Sequence, residues 1–385
     1  MAEAVAGLFF WASFAFLAYL HFGYPALLWL LGRVRPRPVR RGDVAPSIDL
    51  IIGAYNEEAV LRGKIENCLA LDYPAEKLRI TIASDASSDG THAIAREYAG
   101  RGVRLVVAPR RRGKAANFRE LVPDLGGEIL VFSDAGSLYR GDTLRKMARN
   151  FADPEVGLVG GRIRYVNPDT TSVARGEGLY WRYEVFLREA ESVIGSAMVV
   201  SGAVYAIRRE LYRPVADHLP DDFMSPLNVL DQGKRVIYDT ETEILEKMAT
   251  STRAEMATKI RIVSRNFAAL MSMKHLLNPL RSPLVAIQLL SHRLLRWLVL
   301  PAAGLQLGAS ALLVGRPLYA LLFTGQVLFY ALAAAGFLLE RAGKRSRLAY
   351  LPFYFVLVNL AAALGVWQRL FSVRAAGGVW EPVER

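Results

Sequence analysis

Four long runs of apolar residues, one at the start of the chain and three at its end, constrain this sequence more than any other feature. The first, residues 5–31, carries no formal charge beyond what His21 could add. It exceeds the ~20 apolar residues needed to cross a bilayer. A secretory leader is the competing reading, but no basic residues precede the run and it is too long for a leader's apolar core. A retained membrane helix is expected. Leu294–Val314, Leu318–Leu339 and Leu348–Leu370 are the other three candidates.

Basic residues set the orientation. Arg33, Arg35, Arg37, Arg40 and Arg41 follow the first run, and the stretch 340–347 between the last two is also basic. Loops rich in Lys and Arg stay on the cytoplasmic side, so residues from 42 to about 290 are expected there too. The helices then alternate consistently, out to in, in to out, and out to in. A fourth full crossing would place the tail outside, whereas a re-entrant path for Leu348–Leu370 would not. The expected location is the inner (plasma) membrane, multi-pass, with the soluble block cytoplasmic and in contact with membrane lipids. The divisions are residues 1–45, 46–255, 256–292 and 293–385: membrane helix with basic linker, soluble domain, amphipathic interface helices, and membrane helices with tail.

The formal net charge of +12 raises the question of nucleic acid. Much of that excess flanks membrane segments, where it meets anionic lipid. Neither zinc-ligand spacing nor an RNA-binding aromatic signature accompanies it, so no nucleic-acid partner is expected. Cys68 is the only cysteine. A disulfide framework and a thiolate metal site are excluded, and a small core residue is expected there.

Within the soluble block, Ile129–Phe132 form a continuous apolar run that ends in Ser133 and Asp134. Such a run suits a strand buried on both faces of a parallel sheet. Ligands of open α/β sheets bind beyond the carboxyl ends of these strands. A helix cap is the plain alternative for Asp134, because Thr143–Phe151 reads as helical soon after. Its neighbours favour a site. Ser47–Gly53 reads as a strand ending in Ala54, Tyr55, Asn56 and Glu57; Leu78–Ala83 ends in Ser84-Asp85; Val103–Ala108 precedes Arg110-Arg111-Arg112-Gly113-Lys114. Helical patterns separate these strands with short connections, which predicts a doubly wound, mostly parallel α/β sheet. Each strand delivers polar residues to one edge. Acids, an aromatic and a basic loop there describe a nucleotide cleft: the ring stacks on a base, the acids accept from base or ribose, and Lys114 faces phosphate. Neither a P-loop nor a Gly-x-Gly-x-x-Gly turn is present.

Further on, Pro220-Asp221-Asp222-Phe223 reads as an acidic helix cap or as a carboxylate base opposite Asp134. Met256–Met273 has amphipathic spacing and is expected at the membrane interface, its cations available to lipid. Trp297 and Trp367 read as membrane-interface residues in preference to acceptor-stacking ones.

Taken in order across residues 48–265, these motifs resemble the membrane-integrated family 2 glycosyltransferases, the group of cellulose, chitin and hyaluronan synthases and bacterial exopolysaccharide enzymes. The resemblance implies a GT-A domain, a nucleotide-sugar donor (UDP-linked in preference to GDP-linked), Mg²⁺ or Mn²⁺, and inversion at the anomeric carbon. It also implies residue roles. Ala54, Tyr55, Asn56 and Glu57 match the motif that holds base and ribose, Asp85 the second-strand acid, and Lys114 the loop beside the nucleotide. Asp134 matches the first acid of the Asp-x-Asp element that holds diphosphate and metal. Asp222 matches the general base, Ser201 and Gly202 the loop under the acceptor with Asp221 beside them, and Arg261 the arginine of the Gln-x-x-Arg-Trp element. Two departures stand out: the Asp-x-Asp element reads Asp134-Ala135-Gly136, and Thr258 and Ile262 replace Gln and Trp. Mg²⁺ needs only one or two carboxylates when phosphates complete its shell. The expected acceptor is a glycan or a lipid-linked group, and partner subunits or an oligomer are compatible. The alternative is a weak or inactive nucleotide- or glycan-binding subunit of a polysaccharide assembly.

Overall fold

The computed structural model describes residues 1–166, 172–246, 252–344 and 346–371. The tail beyond 371, whose side of the membrane was an open expectation, lies outside the described residues. The chain opens with α1 (Ala2–Ala18), a π-helical turn (Tyr19–Gly23) and α2 (Tyr24–Val34), one continuous apolar helix. Alternating units follow: β1 (Ile48–Ala54), α3 (Glu58–Leu69), β2 (Leu78–Ser84), α4 (Thr91–Glu97), β3 (Val103–Val107), α5 (Lys114–Leu121) and β4 (Ile129–Asp134). Then come β5 (Leu138–Tyr139), α6 (Thr143–Ala148), β6 (Val156–Tyr165), α7 (Ser172–Ile194), β7 (Val204–Arg208), α8 (Asp221–Asp231) and β8 (Arg235–Glu246).

The eight strands form one mixed sheet in the order β3-β2-β1-β4-β7-β6-β8-β5. The four strands from β1 to β4 are parallel, as their continuous apolar runs predict. Ile48, Leu50 and Ile52 enter the core on one face of the sheet while Ile51 enters the other. Cys68 is fully buried among the former, as expected. The second half departs from a purely parallel plan: β7 runs antiparallel to both β4 and β6, and β5 is antiparallel to β8.

The remaining helices are α9 (Thr252–Ser272), α10 (Pro283–Leu289), α11 (Val299–Leu312), α12 (Pro317–Arg341) and α13 (Arg347–Phe371). A π-helical turn at Leu290–Leu294 and a 3₁₀ turn at Leu295–Leu298 join α10 to α11. Among the described residues, four helical stretches are long and apolar enough to cross a membrane: Ala2–Val34, Pro283–Leu312, Pro317–Arg341 and Leu348–Phe371. Glu3 pairs with Arg316 at 2.7 Å, and Trp11 donates to the Tyr319 hydroxyl at 3.1 Å. The chain start and the α11–α12 turn therefore share one end of the bundle, consistent with the helix parity read from the charges. Leu8, Phe14, Leu321, Leu328 and Leu338 face outward, the side-chain distribution lipid contact requires.

Two expectations change. The boundaries drawn at 255/256 and 292/293 both fall inside helical stretches, because Thr252–Ser272 and Pro283–Leu312 run through them. Arg293 and Arg296 both pair with Glu184 on α7, so the helical stretch accommodates their charges. Trp297 is 8% exposed and packs on Phe267 at 5.6 Å instead of facing an interface, whereas Trp367 is exposed. Helix α9 packs against α13 along part of its length. Gly365 of α13 approaches its backbone so closely that an added Cβ would stand 2.8 Å from the Ile260 carbonyl, and Arg261 turns away into a cavity.

Candidate active site

The register of the parallel strands brings the polar residues together. Gly53 of β1 is paired with Asp134 of β4, and Ala54 with Ser84 of β2. The residues that follow each strand emerge side by side for that reason. Tyr55, Asp85, Lys114 and Asp134 line one small recess with Ala54, Asn117 and Phe118. It adjoins a cavity of about 340 Å³ lined by Lys114, Asp134, Gly202, Asp221, Asp222 and Arg261. Ile262, where the resemblance calls for Trp, also faces that cavity.

Several predicted residues support the loops that form this wall. Asp85 is buried and accepts from the Arg112 and Gly113 amides at 2.8 Å each and from Asn117 at 3.0 Å. This fastens the basic loop, whose Gly113 has φ of 93°, a conformation that favours glycine. Lys114 then begins α5 with its side chain directed at Asp134. Asn56 also takes the left-handed region (φ 53°), and its side-chain oxygen accepts from the Ser88 amide at 2.9 Å. The Glu57 amide donates to Thr91 at 2.9 Å. Both residues thus tie the first loop to the second. The Arg111 guanidinium sits 4.0 Å from the Tyr55 ring centre and covers one face of it.

The charged centre is compact. Lys114 Nζ donates to Asp134 Oδ1 at 2.8 Å and to the Gly202 carbonyl at 3.2 Å, and lies 3.7 Å from Asp221 Oδ2. Burial disfavours its charge, but Asp134, Asp221 and Asp222 outweigh that and hold its pKa above the ordinary lysine value. Asp221 also accepts from the buried Tyr205 hydroxyl at 3.1 Å. Phe118, Phe132, Tyr205 and Tyr212 form a ring stack behind it, with consecutive centroids at 4.7, 5.0 and, from Phe132 to Tyr212, 5.6 Å. Burial, and then the adjacent Asp221 carboxylate, push the Asp222 carboxyl up to about 6, against the pull of Lys114. A carboxyl poised there is suited to accept a proton near neutral pH. Gly202 approaches Asp222 so closely that an added Cβ would stand 3.2 Å from Oδ2. Ser201 turns inward and accepts from the Ala203 amide at 3.3 Å.

Arg112, His218, Arg265 and Asn266 also line the cavity and were not singled out from the sequence. Arg265 was within reach of it, because it stands four residues after Arg261 on one helix and so shares its face. His218 and Asp217 belong to a loop without periodic signal.

A divalent metal would have Asp134 as its protein ligand. Among the described residues, no group of three or more His, Cys, Asp or Glu side chains could hold a metal alone. Asp134 keeps 29% side-chain exposure at the cavity wall. This donor set fits a metal whose other ligands are diphosphate oxygens and water, and no other kind.

The sequence of residues 49–215 matches the family described as Glycosyl transferase family 2. A β-monoglucosyldiacylglycerol synthase from Synechocystis is 26% identical over 181 residues, covering 45% of this chain and 38% of that protein. An N-acetylglucosaminyltransferase from a Rhizobium species is 27% identical over 204 residues, covering 51% of this chain and 45% of its own. The chain thus spans less than half the length of these curated relatives. A mannosyltransferase from Pyrobaculum calidifontis, solved with GDP-mannose and Mn²⁺, superposes with a TM-score of 0.73 and 24% identity, covering 97% of this chain and 100% of that one. The sheet is that of a GT-A domain, and the matched segment contains Tyr55, Asp85, Lys114, Asp134 and Gly202. Residues 49–215 of this chain are a glycosyl transferase family 2 domain, carried with four helices long and apolar enough to span a membrane.

Proposed function

We propose that the chain moves a sugar from a nucleotide-diphosphate sugar to an acceptor hydroxyl at the cytoplasmic face of the inner membrane, in the synthesis of a polysaccharide or glycolipid. The observation that carries this reading is the convergence of Asp222, Lys114, Asp134 and Arg261 on one cavity. Tyr55 and Asp85 would bound the base and ribose in the adjoining recess. Arg261 and Lys114 would face the diphosphate, whose negative charge grows as the sugar departs. Bound between Asp134 and the diphosphate, Mg²⁺ or Mn²⁺ would supply further charge stabilisation there. Asp222 would take the acceptor proton as its oxygen attacks the anomeric carbon from the side opposite the leaving diphosphate. One in-line displacement inverts the configuration. Ser201, Gly202 and Asp221 would shape the acceptor side, and Asn56 and Glu57 would keep the donor loops in place. UDP is the nucleotide expected from the sequence resemblance, although the Pyrobaculum enzyme was solved with GDP-mannose.

The test is nucleotide release from a panel of UDP-sugars and GDP-mannose, with Mg²⁺ or Mn²⁺, in membranes carrying the chain or its Asp222→Asn variant. Release from one donor, lost in the variant, with an inverted product anomer, supports the proposal. Silence across the panel with supplied glycan and lipid acceptors would reassign the chain as a non-catalytic binding subunit.

A further inference from the structure

A second concentration of charge lies outside the cavity, where α7 meets the α10–α11 turns. Glu184 of α7 is approached by four basic side chains. His292 Nε2 is at 3.2 Å, Arg188 Nη2 at 3.7 Å and Arg293 Nη2 at 4.0 Å from Oε2, while Arg296 pairs with Oε1. Burial would raise the Glu184 pKa, but Arg296, His292 and Arg293 hold it well below the ordinary value. The other carboxylate in the cluster, Glu191, is already engaged by the Tyr24 hydroxyl (2.5 Å), His292 Nδ1 (2.8 Å) and the Met198 amide (3.3 Å). Three guanidinium groups therefore share one carboxylate.

The shortfall shows in the hydrogen bonds. Arg188 is 6% exposed, yet its Nε and Nη1 have no hydrogen-bond partner, and neither does Nε of Arg293. A buried donor without an acceptor is destabilising, so each of these points to a group that would accept from it. Arg188 faces the Trp181 ring at 4.7 Å and the Tyr238 ring at 5.8 Å, and Arg293 faces the Phe223 ring at 5.8 Å; the Tyr238 hydroxyl is the one oxygen these rings carry. Phe223 directly follows Asp222. The cluster also has an open side: Arg293 and Arg296 keep 13% and 20% side-chain exposure, and the Tyr180 and Tyr183 rings each stand 5.6 Å from Arg296.

Depth narrows the ligand. His292, Arg293 and Arg296 occupy the first half of the apolar stretch Pro283–Leu312, and residues 297–312 carry no charge. An uncharged segment that begins beyond the cluster would leave these cations toward the lipid headgroups. We propose that Arg188 and Arg293 bind a phosphoryl group carried by a membrane lipid, and that this lipid is the acceptor whose hydroxyl is brought to Asp222. The pair is a planar, always-charged donor set suited to phosphate oxygens. The purpose assigned to the site rests on the transferase reading; the binding chemistry does not.

The experiment uses the full chain purified in dodecyl maltoside, a detergent without phosphate. It is titrated with farnesyl phosphate, farnesol and inorganic phosphate, with UDP and GDP as reporters of a folded cytoplasmic domain. Farnesyl phosphate should bind at least tenfold more tightly than farnesol or inorganic phosphate. Arg188→Met and Arg293→Met should each weaken it roughly 10- to 100-fold, the loss of charge-assisted hydrogen bonds, with nucleotide affinity within about twofold of the parent. Arg188→Lys guards against a misfolded methionine variant; it should bind farnesyl phosphate between the two. Equal binding of farnesol, or unchanged binding in the folded variants, would overturn the site. Inorganic phosphate binding as tightly as farnesyl phosphate would overturn the lipid assignment. Donor turnover is read in the same preparation. Turnover without discrimination for farnesyl phosphate rejects this inference alone, and discrimination without turnover on any donor rejects the transferase reading alone.

Discussion

Lys114 Nζ stands 2.8 Å from Asp134 Oδ1. The carboxylate at the end of β4 that would hold a metal is therefore paired with the ammonium that would face the diphosphate. With Ala135 and Gly136 in place of a second acid, the lone carboxylate already has one oxygen engaged by Lys114. An arriving diphosphate would offer Lys114 a new partner and bring further oxygens for a metal.

That coupling makes the metal dependent on nucleotide. In isothermal titration, Mn²⁺ alone should bind weakly, and the nucleoside diphosphate the protein accepts should tighten it at least tenfold. Lys114→Met should bind Mn²⁺ alone more tightly than the parent, while its nucleotide affinity falls roughly 10-fold or more, the value of a charged hydrogen bond. Equal Mn²⁺ affinity in parent and variant would show that Lys114 does not compete for Asp134.

Asp222 should impose an acid limb. Its carboxyl is raised from 3.8 to about 6, chiefly by burial and Asp221. The base form is lost below that value, so kcat/KM should fall about tenfold per pH unit beneath pH 6. Stability has the opposite sign. A carboxyl raised in the folded state favours folding most when protonated, and that contribution is lost as pH rises from about 4 through 6. Asp222→Asn should be more stable than the parent at pH 8, by on the order of 1–3 kcal/mol, and the difference should vanish near pH 4. Thermal melts at the two pH values check it.

Gly202 sits against Asp222. A methyl group there would meet Asp222 Oδ2 at 3.2 Å and displace the carboxylate by a few tenths of an ångström. Gly202→Ala should lower kcat by roughly 10- to 100-fold, because small misplacement of a reacting group is costly. The donor KM should change little. A variant with unaltered turnover would move the acceptor elsewhere.

Lys64 is fully buried beneath the turn that follows Asp134. It donates to the Ser137 carbonyl at 2.6 Å and lies 3.5 Å from the Tyr139 ring centre. Burial pulls its pKa down to about 8, against the attraction of Cys68, Asp134 and Glu246. A base depressed in the folded state destabilises the fold while charged, and the penalty is relieved as pH rises from about 8 to 10.5. Denaturant unfolding of the parent should gain up to about 3 kcal/mol over that window relative to Lys64→Met. Parallel pH profiles would mean that Lys64 is already neutral or solvated.

Chemical identity and period were legible in the sequence itself. The runs ending at Gly53, Ser84 and Asp134 read as parallel strands, most plainly Ile129–Phe132, which is apolar on both faces, and that reading aligned Tyr55, Asp85, Lys114 and Asp134 along one edge. The uncharged helices were likewise plain from length. What lay beyond reach depended on contacts between residues far apart in the chain. Asp85 reads as an acceptor for base or ribose, yet the folded loop gives its oxygens to the Arg112 and Gly113 amides and to Asn117. Met256–Met273 reads as a helix for the membrane surface, yet α13 covers one side and turns Arg261 and Arg265 into the cavity. Glu184 and Arg188 stand four residues apart on α7, but Arg293 lies about a hundred residues away and no periodicity links it to them. A local pattern reports which face of an element is apolar, since that follows from neighbours three or four positions away. Which charge meets which carboxylate is a property of packing, and here the tertiary structure alone determined it.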